Sequence, residues 1–162
     1  MKCYRVVSMH DLKGFTLIEL MIALVIISIL AMIALPVYSQ YAQRANENLA
    51  QQQLQNLAIQ LDRHKARQFN YLGFATAAGT PINLPEGSTG TAIKYKVYVK
   101  DGLSGNPLLT DTTASGLSWV IKAESQDTKL ATFLMTSNGI KCKNKAANSV
   151  TYAGCGSGSE SW

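Results

Sequence analysis

The sequence predicts an α+β fold in which one long N-terminal helix, with its first half in a membrane, packs on a three- or four-stranded antiparallel sheet. Two observations predict this fold. Residues 15–68 are first apolar and then rich in helix-forming side chains. The second half of the 162-residue chain contains short segments of alternating apolar and polar residues, separated by turn residues. A chain of this length is sufficient for one domain.

The apolar segment from Phe15 to Leu35 predicts a membrane-spanning helix. It has 21 residues, of which three are polar, and Glu19 is the one charged side chain among them. At about 1.5 Å per residue the segment forms roughly 32 Å of helix, close to the thickness of the bilayer core. A buried helix of a soluble domain is rarely apolar on all sides over that length. We therefore assign residues 15–36 to a transmembrane helix.

The residues before the apolar segment predict its orientation. Lys2, Arg5 and Lys13 outnumber the single acid, Asp11, so we expect the N-terminus to stay in the cytoplasm while the rest of the chain is exported. A secretory signal would have a shorter apolar core followed by a small-residue cleavage site, and no such site follows here. The small residue in a cleavage-like position is Gly14, in front of the apolar segment. A cut there would leave that segment on the mature protein.

The helical pattern continues beyond the apolar segment. Pro36 lacks an N–H and clashes one turn back, so a kink is expected between Met32 and Pro36. From Val37 to Gln68 the chain has no Gly or Pro, and one apolar stripe follows helical spacing. The stripe consists of Ala50, Leu54, Leu57, Ala58 and Leu61. We expect this second half of the helix to lie against the exported domain, which comprises residues 37–162.

Strand patterns follow a connecting loop that glycines and prolines predict over residues 69–91. "AIKYKVYVK" alternates, so one of its faces is expected to lie on the core. One face consists of Ile93, Tyr95, Val97 and Val99, and the other of Lys94, Lys96, Tyr98 and Lys100. "GLSWVIKAE" places Leu117, Trp119, Ile121 and Ala123 on one face. "KLATFLMTS" is mostly apolar, which is typical of a central strand.

Turn residues connect these strands into a meander. "QDTK" lies between the second and third segments and "SNG" follows the third. One face of such a sheet would be covered by the helix. Residues 92–155 then form the sheet and a cysteine-containing loop. The tail, residues 156–162, is rich in Ser and Gly, and we expect it to be loose.

The cysteines fit an exported domain. There are three, Cys3, Cys142 and Cys155, and removal of residues 1–14 would leave the last two. An even pair in an exported domain indicates a disulfide. Two free thiols are the alternative. A zinc site is disfavoured because no histidine lies near either cysteine.

The segment "KGFTLIEL" resembles the cleavage and assembly signature of type IV pilins and pseudopilins: a basic leader ending in Gly, then Phe, then an apolar stretch with Glu at its fifth position. The resemblance implies that a prepilin peptidase cuts after Gly14 and N-methylates Phe15. It implies that Glu19 pairs with the Phe15 amine of a neighbouring subunit in a filament. Pro36 also stands where these proteins commonly carry a proline.

The resemblance extends to the fold and to the partners. It implies a pilin-like fold closed by a Cys142–Cys155 disulfide, and "MTSNGIKCKN", residues 135–144, resembles minor pilins of the PilE type. The implied partners are other pilin subunits, the prepilin peptidase, the inner-membrane pilus assembly machinery and, before assembly, the lipid bilayer. The implied location is the bacterial inner membrane for the precursor, then an extracellular pilus or a periplasmic filament. The implied role is that of a minor subunit that supports pilus biogenesis, twitching motility, adhesion or DNA uptake.

A pseudopilin of type II secretion is the alternative within the same architecture. Major pseudopilins usually close the domain with a calcium site, whereas this chain offers a cysteine pair. The acids that a calcium site would need are too scattered in the sequence to argue for one. They are Asp101, Asp111, Glu124 and Asp127.

DNA binding is an alternative of another class, because basic residues interleaved with an aromatic can hold a phosphate backbone. Two groups of lysines are the candidate contacts: Lys94, Lys96 and Lys100, and Lys141, Lys143 and Lys145. An enzyme is not predicted, because His64 lies beside Arg63 and Lys65 on a solvated helix face and no nucleophile–base pair, metal cluster or phosphate loop is visible. No cofactor is predicted.

Two further features concern the N-terminal segment. Many pilins carry a helix-weakening glycine about eight residues before the proline, and here that residue is Ser28. A serine unwinds a helix less readily, so melting of residues 28–36 in a filament is an open question. The chain also contains a second start candidate, Met9, which would leave a six-residue leader.

Overall fold

The computed structural model describes residues 14–76 and 79–162. Its first element is the α-helix α1, Leu17–Gln68, which confirms the predicted long helix. The helix assignment continues through Pro36, and the predicted kink stays a prediction. The leader prediction, including Cys3 and the Met9 start, lies outside the described residues except for Gly14.

Contacts divide the chain into two units that meet between Gln40 and Tyr41. In the first unit, the large apolar side chains from Phe15 to Ile33 are between 52 and 83% exposed. By length and composition, α1 contains a segment that can cross a membrane, and none of that segment is buried within the described chain. Such a helix needs lipid or another protein to cover it, because so much contiguous apolar surface is unfavourable in water.

The second unit holds the remainder of α1 and one antiparallel sheet. The strands are β1 (Ile82–Leu84), β2 (Tyr95–Asp101), β3 (Trp119–Ser125), β4 (Thr132–Thr136), β5 (Lys141–Asn144) and β6 (Glu160–Ser161). They follow one another in chain order, β1-β2-β3-β4-β5-β6, as a meander. The sheet therefore has six strands where the sequence predicts three or four. The strands that the sequence patterns miss are short and lie towards the sheet edges.

The main core lies between the helical stripe and one face of the sheet. All five predicted stripe residues are buried, with exposed fractions of 7% or less. The predicted alternation of β2 is confirmed, because Tyr95, Val97 and Val99 are buried and the residues between them are half-exposed. Among residues 14–76 and 79–162, every buried core residue lies between Ala50 and Cys155. The second unit thus contains its complete core, and we call it the head.

A smaller core covers the other face of the sheet. It consists of Val120 from β3, Leu134 from β4, and Val150 and Cys155 from the loop after β5. The Cys142–Cys155 disulfide joins β5 to this loop across a Cα–Cα distance of 6.0 Å. Because the two cores lie on opposite faces of the sheet, successive residues of β3 and β4 are buried alternately in one core and in the other.

A buried asparagine also holds the disulfide loop. The Asn144 side-chain amide donates to the carbonyls of Cys155 at 2.8 Å and Ser157 at 2.9 Å, and its oxygen accepts from the Ala146 N–H at 2.9 Å. Three hydrogen bonds to one side chain that is 7% exposed give the loop a non-covalent anchor beside the disulfide.

Three local sequence expectations are wrong. The segment expected to be a connecting loop, residues 69–91, contains β1, whose three residues pair with β2 from Ile82↔Val97 to Leu84↔Tyr95. Leu117 was expected to face the core but is 79% exposed, because β3 begins two residues later at Trp119. His64 is not simply solvated, since its Nε2 donates to the Leu72 carbonyl at 2.8 Å and its ring contacts Phe74 edge-on.

The C-terminal tail is ordered where the sequence predicts a loose segment. Its last residues form β6, which pairs with β5 at Cys142↔Ser161 and Lys143↔Glu160. The Trp162 indole packs edge-on against Phe133 with ring centroids 5.7 Å apart. Its Nε1–H donates to the Cys142 carbonyl at 3.1 Å. A single large aromatic at the chain end thus anchors a Ser/Gly-rich segment whose composition alone indicates flexibility.

Helix α1 ends at a residue with an unfavourable backbone conformation. Phe69 follows the last helical residue with φ 61°, and its N–H donates to the Lys65 carbonyl at 2.7 Å. Glycine is the usual residue at this position, because a side chain costs about 1 kcal/mol or more in the left-handed region. The Phe69 side chain is 89% exposed. Its packing within the head therefore offsets little of this cost.

A buried tyrosine connects β2 to the β3–β4 turn. The Tyr95 hydroxyl donates to the Ala131 carbonyl at 3.0 Å, and the Ala131 N–H donates to Glu47 of α1 at 3.1 Å. We expect Tyr95→Phe to lower the unfolding free energy of the head by about 1–2 kcal/mol, because a buried carbonyl loses its partner. Urea unfolding of the head checks this. Tyr71→Phe is the control, since no hydrogen bond of that hydroxyl is formed within the described residues, and an equal loss there would contradict the expectation.

Candidate functional site

The start of α1 is capped by a threonine. Thr16 precedes the first helical residue, and its Oγ1 accepts from the Glu19 N–H at 3.2 Å. Its carbonyl accepts the first intrahelical bond, from the Leu20 N–H at 3.2 Å. The spacing Thr-x-x-Glu is that of a capping box, in which the glutamate bonds back to the cap residue. The sequence reasoning missed Thr16, although this four-residue signal was visible.

Glu19 lies in the first turn of α1, where the helix dipole favours a carboxylate. Within residues 14–76 and 79–162 it forms no ion pair. Phe15 is 83% exposed, and a Cβ added at Gly14 would meet no atom within 4 Å. Gly14, Phe15 and Glu19 therefore lie in one accessible segment. Cleavage at Gly14–Phe15 and the charge pair of Glu19 stay predictions for this segment.

Ser28 uses its hydroxyl within the helix. Its Oγ donates to the Leu24 carbonyl at 2.7 Å, one turn back. This bond satisfies the hydroxyl in an apolar environment and keeps the serine in a helical conformation. The structure shows the helix intact here, and the melting question for residues 28–36 in a filament stays open.

Comparison with known proteins identifies the N-terminal segment and extends into the head. A family model described as the prokaryotic N-terminal methylation motif matches residues 9–35. A fimbrial protein of Neisseria meningitidis is 32% identical over 157 residues, covering 90% of this chain and 86% of that protein. The chain belongs to the type IV pilin family. A fimbrial protein of Moraxella nonliquefaciens is also 32% identical, over 85% of this pilin and 94% of the relative.

A third relative carries a more specific name. The type IV major pilin protein PilE1 of Neisseria gonorrhoeae is 32% identical over 127 residues, covering 78% of this pilin and 71% of the relative. No solved structure matches the chain. Because the matching relatives are fimbrial proteins and pilins, this pilin is a structural subunit of a pilus and not an enzyme. Its α+β fold, with a long apolar N-terminal helix, agrees with that assignment.

The six candidate DNA-contact lysines do not form one surface. Lys96 and Lys100 alternate with the buried residues of β2, so they lie on the sheet face away from α1. Lys141 and Lys143 pair with Met135 and Phe133 of β4, which face the main core, so they lie on the helix side. Because Lys96 and Lys100 lie on the face opposite to Lys141 and Lys143, one straight stretch of duplex cannot contact all four.

Several of these lysines also have partners within the head. Lys94 lies 3.8 Å from Asp127, and Lys143 lies 3.2 Å from Glu160. The Lys141 ammonium lies 5.9 Å from the centre of the Trp162 ring. Lys145 is exposed. DNA binding by these residues stays a prediction, and the geometry does not favour it.

Lysines and tyrosines pack together on the sheet face away from α1, which we call the outer face. The ammonium groups of Lys100 and Lys122 lie 4.8 and 5.0 Å from the centre of the Tyr152 ring. Burial, followed by the charge of Glu124 and the proximity of Tyr98, raises the pKa of Tyr152 to about 12. These contacts hold the disulfide loop on the sheet, which gives the outer lysines a structural role.

The acids considered for calcium are not brought together. Among the described residues, no group of three or more His, Cys, Asp or Glu side chains is placed to hold a metal ion. Asp101 is fully buried and binds the β2–β3 loop. Asp127 pairs with Lys94, and Glu124 pairs with Lys122 at 3.4 Å.

Proposed function

We propose that this pilin is cut after Gly14 by a prepilin peptidase, N-methylated on Phe15, and incorporated into a pilus through α1. Before assembly, the precursor spans the bacterial inner membrane with its N-terminus in the cytoplasm. In the fibre, the Glu19 carboxylate lies against the Phe15 amine of a neighbouring subunit. Incorporation requires the inner-membrane assembly machinery, and the resulting fibre supports twitching motility, adhesion or DNA uptake.

One observation carries the proposal: the first unit is an apolar helix that no described residue covers and that has a single carboxylate in its first turn. Apolar surface of this extent is stable in lipid or against other copies of the same helix. In the second case the carboxylate is removed from water, and an unpaired buried charge is costly. Cleavage after Gly14 creates an ammonium group four residues away in sequence. The match of residues 9–35 to the methylation motif supports the same processing.

We also propose that the pilin is a minor subunit. The resemblance of residues 135–144 to minor pilins supports this, whereas the gonococcal relative is named a major pilin, which supports the opposite assignment. Abundance in the fibre separates the two. Quantitative proteomics of sheared fibres is expected to find this pilin as a small fraction of the principal subunit. If it is itself the most abundant subunit, the minor assignment is wrong and the assembly proposal stands.

The processing proposal is tested on the same fibres. N-terminal sequencing and intact-mass analysis are expected to find a chain that begins at Phe15 and carries one added methyl group. Its net charge would then be +3 instead of +5, because the leader removes three basic residues and one acid. Gly14→Val is the matched variant, since a branched side chain beside the bond should leave the precursor uncut in the membrane. A wild-type chain that starts at Met1 or Met9 and stays in the membrane would overturn the proposal.

A further inference from the structure

An exposed apolar patch lies at the end of the head where α1 terminates. Its members are Phe69 (89% exposed), Leu117 (79%) and Leu72 (39%). The Tyr71 N–H donates to the Gly116 carbonyl at 2.8 Å, which brings the segments of these residues together. Gly116 lies so close to Leu72 that a Cβ there would clash. We call Phe69, Leu72 and Leu117 the apical patch.

Three cations lie in the helical segment that leads into the apical patch. Arg63, Lys65 and Arg67 occupy the last two turns of α1 and are exposed. The Lys65 ammonium lies 4.9 Å from the centre of the Tyr71 ring, which places it beside the patch. Neither arginine forms an ion pair within the described residues. The surface therefore combines protruding apolar side chains with unpaired positive charge.

The conformation of Phe69 indicates that this surface is not a by-product of folding. A glycine would fit φ 61° without strain, and the phenylalanine ring gains little burial in the head. Strain held by an exposed side chain points to a role outside the folded chain. An aromatic ring with leucines and a basic rim is the combination that enters the interface of anionic membranes, where the ring inserts and the cations meet lipid phosphates.

We propose that the apical patch binds anionic lipid surfaces. A ring that is 89% exposed stands out from the head, and a fluid bilayer adapts to such a protrusion without a matching cavity. A second copy of the same surface is a poorer partner for the apical patch, because it would bring a second set of Arg63, Lys65 and Arg67 against the first. The proposal does not depend on processing or on assembly, because the apical patch lies within the head.

The test uses vesicle flotation with the head, residues 41–162, which contains its own core and disulfide. Vesicles are phosphatidylcholine alone or an equal mixture with phosphatidylglycerol. We expect the wild-type head to float with the anionic vesicles and not with the neutral ones. Phe69→Gly should lower the apparent affinity about tenfold, the effect of burying one aromatic side chain. Arg63→Gln and Arg67→Gln should each lower it roughly fivefold.

Two controls keep the test decisive. Phe69→Gly relieves strain, so its urea midpoint should equal or exceed that of wild type, which separates lost binding from lost folding. Ile140→Ser removes an apolar side chain that is 46% exposed in another turn, and binding should not change. Sheared fibres containing the same variants then repeat the flotation. Equal binding by Phe69→Gly and wild type would overturn the proposal. A fall in fibre yield with unchanged vesicle binding would also overturn it and would assign the patch to a subunit contact.

Discussion

Replacing Glu19 with alanine is expected to leave membrane insertion and cleavage intact and to lower the amount of this pilin in fibres by a factor of roughly 10 to 100. Insertion should tolerate the change, because it removes the one charged residue of an apolar segment. Cleavage should tolerate it because the Gly14–Phe15 bond is unchanged. Assembly should not, because the Phe15 amine of a neighbour would be buried without a counter-charge.

The measurement compares immunoblots of the membrane fraction and of sheared fibres from strains that express each variant at equal levels. Glu19→Gln preserves size and removes charge, so it should be as defective as alanine. Thr16→Ala is the matched control in the same turn. It removes the helix cap, worth about 1 kcal/mol, and leaves the carboxylate in place. Fibres with wild-type amounts of the Glu19→Ala protein would refute the charge-pair interpretation.

Replacing Asp101 with alanine is expected to destabilise the head by about 3–5 kcal/mol. Asp101 ends β2, is fully buried and accepts backbone hydrogen bonds from Leu103, Ser115 and Gly116, together with the Ser115 hydroxyl. It thereby joins the start and the end of the β2–β3 loop. Without the carboxylate, several N–H groups would be left without a partner in a buried position.

Urea unfolding of the head measures the effect. Asp111→Ala is the control, because Asp111 is exposed in the same loop and its carboxylate accepts a single hydrogen bond within the described residues, from the Leu108 N–H at 3.0 Å. Asp111→Ala should lower the unfolding free energy of the head by less than about 1 kcal/mol. Similar losses for the two variants would show that the loop does not depend on the buried carboxylate.

The same residue gives a pH dependence. Burial alone would raise the pKa of Asp101, but hydrogen bonds from Gly116, Leu103 and Ser115 outweigh it and hold the pKa below its ordinary value of 3.8. The carboxylate therefore contributes stability that is present above the unfolded pKa and is lost as pH falls through the lower, folded pKa. Wild-type head should lose more stability below about pH 4 than Asp101→Asn, which has no proton to bind there.

The parts of the fold that follow from side-chain periodicity were predictable. The stripe from Ala50 to Leu61 and the alternation of β2 each place several residues on a core face, so packing and pattern agree. Edge strands were not predictable, because β1 and β6 have three and two residues and are defined by the strand beside them. Leu117 was misplaced for a related reason. The apolar alternation begins at Leu117, two residues before β3 starts to pair at Trp119.

The site was predictable where it is local in sequence. Gly14, Phe15 and Glu19 form one contiguous signal, and Thr16 belonged to it. The lysines were harder, because their faces depend on strand register: β5 pairs so that Lys141 and Lys143 lie on the helix side of the sheet. The apical patch was invisible in the sequence. Phe69 and Leu117 are 48 positions apart, and their two loops are brought together by the hydrogen bond between the Tyr71 N–H and the Gly116 carbonyl.

The anchoring of β6 restricts where a reporter can be attached for imaging. Trp162 directly follows β6, and its indole is hydrogen-bonded to the Cys142 carbonyl and packed on Phe133. A fluorescent protein or affinity tag attached at Trp162 would disturb these contacts and with them the pairing of the edge strand β6. The exposed turn around Gly87, where a Cβ meets no atom within 4 Å, offers a less disruptive insertion point for visualising the living fibre.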